Sequence, residues 1–248
     1  MEIPVRWLDE TPSTNGYVKE KFLSGELTAP TAIAARRQTA GRGRLGRVWE
    51  SAPDQTLTLS VLVPKTLASA VTLCVGVAAV RALARTVGVE ARLKWPNDIL
   101  CGDRKIGGIL CEGIVGERSA TVLGIGINVA QTAAFFEEKG LSYGGSVLSE
   151  TGKTVSVNVL AEAVTRAVGE VLETLEEGGF APLKEEYEAC CLTLGRYVNV
   201  LSPTGDGLLC GEATGVDEDG NLLVTDGEGI SHAVGAGEVS VRGVYGYA

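Results

Sequence analysis

The sequence predicts an α+β protein in which a larger domain of interleaved strands and helices precedes a small β-barrel. Three observations predict this class. Leu57, Leu59, Val61 and Val63 alternate with Thr58, Ser60 and Leu62, the two-residue period of a strand, and Pro64 stops the run. Val157, Leu160, Ala161, Val164, Val168, Val171, Leu172 and Leu175 recur at the three-and-four spacing of an amphipathic helix, which Gly178-Gly179 ends. After Gly195 the texture changes to short alternating runs separated by turns such as Gly205-Asp206-Gly207 and Asp219-Gly220-Asn221, the pattern of a small barrel.

The remaining elements follow in order. Val5 to Asp9 reads as a short strand, and Ser13 or Thr14 caps a helix running to about Leu23. Thr31 to Arg37 reads as a strand. The Ala-rich residues 66–87 read as a buried helix ending at Gly88. Ala91 to Trp95 is another strand. Asp98 to Cys101, the turn Gly102-Asp103-Arg104 and Lys105 to Gly113 form a hairpin, and Thr121 to Val129 is one more strand. Pro182 to Cys191 is a helix with proline in its first turn. The barrel runs are Tyr197 to Leu201, Leu209 to Ala213, Leu222 to Val224, Ser231 to Val234 and Glu238 to Val241. The domain boundary is expected near residue 190, giving domains 1–190 and 191–248.

Composition excludes several classes. The 248 residues are 45% apolar, enough for a real core. No stretch approaches the roughly 20 uninterrupted apolar residues of a membrane span, and Met1 to Asp9 lacks a signal-peptide layout. A cytoplasmic protein is expected. Cys74, Cys101, Cys111, Cys190, Cys191 and Cys210 form no C-x-x-C pair, and buried reduced thiols are expected. A single histidine, His232, argues against a His-centred metal site or a serine–histidine pair. A net charge of -9 argues against general nucleic-acid binding.

One basic cluster stands out against that charge. Five arginines fall between Arg36 and Arg47 without an acidic residue, interleaved with Gly41, Gly43 and Gly46. Arginines between glycines suit bidentate contact with phosphate or carboxylate, and such a self-repelling loop should order only when an anion neutralises it. A solvated basic turn or a nucleic-acid contact is the alternative. The run is not a P-loop, and Arg47-Val48-Trp49 does not open a helix as a dinucleotide fingerprint would.

Three further segments carry polar groups at strand ends. Lys94-Trp95-Pro96-Asn97-Asp98 makes a sharp turn, which alone reads equally as a hairpin corner. Lys105 opens the apolar run Ile106-Gly107-Gly108-Ile109-Leu110-Cys111-Glu112. A cation there is placed to hold a carboxylate, or simply snorkels. Gly124-Ile125-Gly126-Ile127-Asn128-Val129 is a strand with one bare and one apolar face. The bare face suits the floor of a flat pocket, or close sheet–helix packing.

In this order the pieces resemble biotin protein ligases. The resemblance starts at Ser13-Thr14-Asn15 and continues through G-R-G-R-x-G-R, K-W-P-N-D, K-x-x-G-I-L-x-E and G-x-G-I-N, covering residues 9 to 129. No single motif is decisive; the ordered set is specific. It implies a mixed β-sheet with helices on one face, followed by an SH3-like barrel. It implies ATP-dependent activation of biotin to biotinyl-5'-AMP, then transfer to a lysine of a biotin carboxyl carrier protein or acetyl-CoA carboxylase subunit. It implies Mg²⁺ with the ATP, and allows a homodimer through the catalytic sheet.

The resemblance also implies roles. Ser13, Thr14 and Asn15 would lie near the biotin rings and Gln38 near the ureido end. Gly41, Arg42 and Arg44 would close over carboxylate and phosphate. Trp49 would stack on adenine, and Asn97 and Asp98 would border the nucleotide, with Asp98 the candidate neighbour of the metal. Lys105 would contact the biotin carboxylate and then the adenylate. Gly108 and Ile109 would line the biotin tail, Gly124 and Gly126 would pass beside the ligand, and Asn128 and Arg242 would reach the nucleotide. Lys105, Arg42 and Arg44 are the expected catalytic groups.

Two departures from the bifunctional pattern bear on partners. Only Met1 to Pro12 precede the Ser-Thr-Asn motif, where bifunctional members carry a helix-turn-helix, so no operator DNA binding is expected. Met1 is the only methionine, so the carrier's Met-Lys-Met is absent and the acceptor is expected to be a separate protein. The rival on a related fold is a lipoate ligase or octanoyl transferase, against which the arginine run and the terminal barrel argue.

Overall fold

The computed structural model describes residues 1–202, 204–236 and 240–243, the last four as backbone only. A seven-stranded mixed sheet is built from β1 (Val5–Thr11), β2 (Thr31–Gln38), β3 (Thr56–Val63), β4 (Arg92–Lys94), β5 (Asp98–Cys101), β6 (Arg104–Ile114) and β7 (Ala120–Asn128). The strand order is β1-β2-β3-β7-β6-β5-β4; β1 and β2 are parallel and every other neighbouring pair is antiparallel. The helices are α1 (Thr14–Leu23), α2 (Val71–Val87), α3 (Ala133–Glu138), α4 (Val147–Thr151), α5 (Val157–Gly178) and α6 (Ala181–Cys190).

Strand alternation decides which face each helix covers. Leu57, Leu59, Val61 and Val63 of β3 and Leu123, Ile125 and Ile127 of β7 join α2 and α5 in the large core. That is the expected layer of helices on one face. The short helix α1 packs across the other face, where Val18 and Phe22 meet Ile33, Leu62 and Val122 in a second, smaller core. The rest of that second face is polar or bare: Thr58 and Ser60 on β3, Gly124 and Gly126 on β7. The register sets Ser60 opposite Gly124 and Gly126 between Thr58 and Gly108.

Helix α2 starts at Val71 rather than at residue 66 as the apolar composition suggests. Thr121 is the reason: its hydroxyl accepts from Leu67 N at 3.0 Å and donates to Lys65 O at 3.0 Å, holding the preceding segment as a loop across the end of β7. Helices α3 and α4, with six and five residues, are too short to show a period in sequence.

The C-terminal unit is a five-stranded antiparallel sheet of β8 (Tyr197–Leu201), β9 (Gly207–Val216), β10 (Leu222–Thr225), β11 (Ser231–Val234) and β12 (Ser240–Gly243), in the order β11-β10-β9-β8-β12. Its apolar residues Val198, Val200, Val216 and Val224 join the large core. The β9–β10 turn packs against the segments before α2 and after β4: the Trp95 indole donates to Gly220 O at 3.0 Å and Ser69 Oγ to Asp219 O at 2.6 Å. Among the described residues no helix is long and apolar enough to cross a membrane.

Leu123 is fully buried beneath α2 and α5. Leu123→Ala should cost about 2–5 kcal/mol, through lost transfer energy and an incompletely collapsed cavity. Urea unfolding should show this as a lower midpoint with an unchanged slope.

Candidate active site

A cavity of about 160 Å³ lies on the bare face of the sheet. Its floor is Gly124, Gly126, Gly108 and Ile109; its end is Ser13, Thr14, Asn15 and Gln38; its roof is Arg42 to Arg47 with Trp49; its side is Lys94, Asn97, Asp98 and Lys105. Four segments scattered from Ser13 to Gly126 thus meet in one place.

The floor is bare because side chains from elsewhere need the room. A Cβ on Gly126 would stand 2.7 Å from the Trp49 ring, and one on Gly124 would stand 2.8 Å from Asn15 Nδ2, so both positions exclude any larger residue. Trp49 therefore lies flat across β6 and β7, with its Nε1 buried and without a hydrogen-bond partner.

The roof is a small hairpin. Gly43 N donates to Arg47 O at 2.7 Å and Trp49 N to Gly41 O at 3.0 Å, and Arg44–Gly46 makes a single tight turn. Arg44 bonds Asn97 Oδ1 at 3.2 Å and reaches Ala236 O in the C-terminal unit. Burial lowers the Arg44 pKa from its ordinary value; Asp98 opposes the shift and Arg47 adds to it. The guanidinium is thus partly desolvated before any anion arrives, which strengthens its attraction for one.

On the side wall, Lys105 Nζ pairs with Asp98 Oδ1 at 2.6 Å and lies 5.7 Å from the centre of the Trp49 ring. An ammonium has three hydrogens, so pairing to Asp98 leaves donors for a second anion. The Lys105 backbone is clamped: its N–H donates to Tyr143 O at 2.8 Å and its carbonyl accepts from Gly145 N at 3.0 Å. Asn97 spends its amide on Ile109 O at 3.0 Å, which fixes the corner of the K-W-P-N-D turn.

At the end wall, Thr14 N donates to Gln38 Oε1 at 2.8 Å. Asn15 Nδ2 donates to Leu110 O at 3.1 Å and to Glu112 Oε2 at 2.7 Å. Lys19 pairs with Glu112 at 2.5 Å, and Arg42 approaches it at 4.0 Å. Burial pushes Glu112 up, but the bonds from Lys19 and Asn15 and the charges of Lys19 and Arg42 outweigh it and hold the carboxyl below its ordinary value.

Most of the residues singled out in sequence meet in this cavity, but two of the described ones do not. Gly41 is buried behind it, with its carbonyl taken by Trp49 N. Asn128, expected to reach the nucleotide, does not line the cavity: it is 6% exposed, donates to Gly145 O at 2.9 Å and accepts from Gln131 at 3.0 Å. Its amide holds the segment that clamps Lys105. The Arg242 side chain lies outside the described residues. Lys94, Ser60, Glu112 and Lys19 were given no role in sequence. Lys94 is a lysine only 6% exposed yet lining the cavity, and a charge before an apolar tryptophan-proline corner gave no sign of burial. Among the described residues no group of three or more His, Cys, Asp or Glu could hold a metal. Desolvation pushes the Cys74 and Cys111 thiols up to about 12, which makes them inert; of the expected buried thiols Cys74 and Cys191 are buried, Cys101, Cys111 and Cys190 are partly so, and Cys210 is exposed.

Comparison with known proteins agrees with this geometry. Residues 7–129 match the model of the biotin/lipoate A/B protein ligase family, and residues 193–242 match that of the biotin protein ligase C terminal domain. The chain is 34% identical to the bifunctional ligase/repressor BirA of Escherichia coli over 93% of this chain and 71% of that one. It is 33% identical to the biotin--[acetyl-CoA-carboxylase] ligase of Paracoccus denitrificans over 88% of this chain and 92% of that one. A solved biotin protein ligase from Aquifex aeolicus, in complex with biotin and ATP, superposes with a TM-score of 0.83 at 32% identity, covering 96% of this chain and 98% of that one.

The Glu112 network gives a pH dependence of defined sign. A folded-state pKa held below the unfolded value of about 4.3 contributes stability above that value and loses it as pH falls through the folded one. Glu112→Gln should therefore flatten part of the acid limb of a melting-temperature profile below about pH 5 and leave the neutral-pH slope unchanged.

Proposed function

The chain belongs to the biotin protein ligase family, and from that premise we propose how its residues carry out the reaction. It is an ATP-dependent ligase that activates biotin as biotinyl-5'-AMP and passes the biotinyl group to a protein lysine. The reading of the individual residues is supported by one observation: the flap arginines, Lys105, Trp49 and the Ser13–Asn15 corner line a single cavity.

The chemical difficulty is to bring two anions together. A biotin carboxylate oxygen attacks the α-phosphorus of ATP; the new P–O bond forms as the bond to pyrophosphate breaks, and pyrophosphate leaves with the electron pair. Arg42, Arg44 and Lys105 supply positive charge where the carboxylate and phosphate meet, in a site already partly desolvated, so the approach is no longer repulsive. In the second step an acceptor lysine amine attacks the carbonyl carbon, the C–O bond to AMP breaks, and the amine gives up its proton. The protein contributes mostly orientation and water exclusion. Asp98, already paired with Lys105, is the carboxylate nearest that chemistry.

The ring end of biotin lies against Ser13, Thr14, Asn15 and Gln38, its tail passes Gly108, Ile109, Gly124 and Gly126, and adenine stacks against Trp49 beside the Asn97–Arg44 pair. Trp49 must lift from Gly126 to admit the nucleotide. Mg²⁺ fits this donor set only as an ion carried by the polyphosphate, since among the described residues Asp98 is the one carboxylate lining the cavity. Bound there it would neutralise polyphosphate charge, and Asp98 would be its protein neighbour. Residues 1–190 form the catalytic unit and 191–248 the terminal barrel. The acceptor is a biotin carboxyl carrier protein or the carrier part of acetyl-CoA carboxylase, met in the cytoplasm. A homodimer would form through the catalytic sheet, whose edge strands are β1 and β4.

Incubation with biotin, α-labelled ATP and a carrier domain should give labelled biotinyl-AMP and then biotinylated carrier. Arg42→Ala and Lys105→Ala should each lower adenylate formation by about 10²-fold with an unchanged circular dichroism spectrum. Both variants forming and retaining the adenylate normally would refute these roles.

A further inference from the structure

Behind Thr14 runs a chain of polar groups, buried at Asn15 and Ser60 and half-buried at Glu112, that the reaction does not use directly. Asn15 Nδ2 donates to Leu110 O at 3.1 Å and to Glu112 Oε2 at 2.7 Å. A carbonyl and a carboxylate only accept, so both amide hydrogens are committed. The Asn15 Oδ1 then faces Ser60 Oγ, 2.6 Å away, and Ser60 Oγ also lies 2.7 Å from Thr14 Oγ1. Ser60 has one hydrogen. Asn15 Oδ1 cannot donate, so that hydrogen goes to it. The Thr14 hydrogen has two acceptors in reach, Ser60 Oγ at 2.7 Å and Gln38 Oε1 at 3.1 Å, and the shorter contact takes it. Gln38 Oε1 is fixed as well, since it accepts from Thr14 N at 2.8 Å. Thr14 Oγ1 and Gln38 Oε1 stand 3.1 Å apart, and with the Thr14 hydrogen turned towards Ser60 both present lone pairs. Two such acceptors side by side favour a donor that bridges them.

We propose that Glu112, acting through Asn15 and Ser60, sets the hydrogen-bond polarity of this end of the cavity so that it accepts an N–H from the ligand. Glu112 and Ser60 are thereby positioning residues for recognition of a cyclic urea. The proposal rests on the reading that the biotin rings lie against Thr14 and Gln38. Three features make the relay one-directional. Ser60 is fully buried, so no water can reverse its hydroxyl. Lys19, 2.5 Å from Glu112, keeps the carboxyl ionised and accepting. The absent Cβ at Gly124 leaves the room that Asn15 occupies, with 2.8 Å to its Nδ2.

The test measures binding of biotin and of its cyclic carbamate analogues, in which one or the other ureido N–H is replaced by oxygen, by calorimetry. A site built to pair a donor rejects an isostere lacking it by far more than a hydrophobic pocket would, so the unaltered enzyme should prefer biotin over one carbamate by about 100-fold or more. Ser60→Ala and Glu112→Leu should each cut that preference by about tenfold or more while the KM for ATP stays unchanged. Glu112→Gln should keep the preference, because its side-chain carbonyl still accepts from Asn15. An unchanged preference in Ser60→Ala, equal weakening of biotin and carbamate in the variants, or equal binding of both by the unaltered enzyme would overturn the proposal. A Glu112→Gln loss as large as that of Glu112→Leu would also overturn it. Failure of the unaltered enzyme to bind biotin at all would instead sink the placement of the rings on which the proposal rests.

Discussion

On β7 the residues facing α2 and α5 are Leu123, Ile125 and Ile127, whereas Gly124 and Gly126 face the other way, and this asymmetry sets the height of everything above the sheet. The apolar side anchors the strand at the centre of the large core. The bare side lets Asn15 and Trp49 come down onto the backbone, at 2.8 and 2.7 Å from where side chains would begin. A methyl at either place would lift one wall of the cavity. The rigid core is therefore what makes an open surface possible on the opposite face, because the strand needs no second layer to hold it.

The electrostatics depend on that surface. Three cations converge above the glycines, and each already has an acceptor: Arg42 near Glu112, Arg44 on Asn97 and Ala236, Lys105 on Asp98. These pairings hold the three side chains in place while the lining stays net positive, with Arg47 and Lys94 beside them. They are also incomplete, since a guanidinium offers five donors and an ammonium three. An arriving carboxylate and phosphate can thus be bound without first breaking the contacts that hold the side chains in place, which keeps reorganisation at the moment of reaction small.

Much of this was legible in sequence, and for specific reasons. Alternation over Leu57–Val63 and Thr121–Val129 located the central strands, because one face of each is buried by helices, and the glycine alternation in the latter identified the bare side as a floor. Spacing at residues 157–177 located α5 for the same reason. Tertiary hydrogen bonds were not legible. Thr121 delays α2 by capturing Lys65 and Leu67, a side-chain contact across 54 residues that no local window contains. Asn128 reads as a ligand contact at a strand end, yet its amide is consumed by Gly145 and Gln131. Ser60 reads as an ordinary polar position in a strand. Its place in the relay depends on α1 lying on the second face, which the helix pattern alone does not fix, because α1 is barely amphipathic and is held by Val18 and Phe22 rather than by a full apolar stripe.

The position of the C-terminal unit follows from the same economy. The Trp95 indole is buried and needs an acceptor, and the β9–β10 turn provides one at Gly220 O. Arg44 on the flap reaches Ala236 O in the same unit. The two protein groups on either side of the expected nucleotide, the K-W-P-N-D corner and the flap hairpin, are thus both tied to one small sheet. A displacement of that sheet would move Trp95 and Arg44 together and widen the cavity at its Asn97–Arg44 end, while the Thr14–Ser60–Asn15 end, anchored on β3 and β6, would stay where it is. The Thr14–Ser60–Asn15 end and the Asn97–Arg44 end of the cavity therefore rest on different parts of the fold, and Arg42, Arg44 and Lys105 line the one cavity that both ends share.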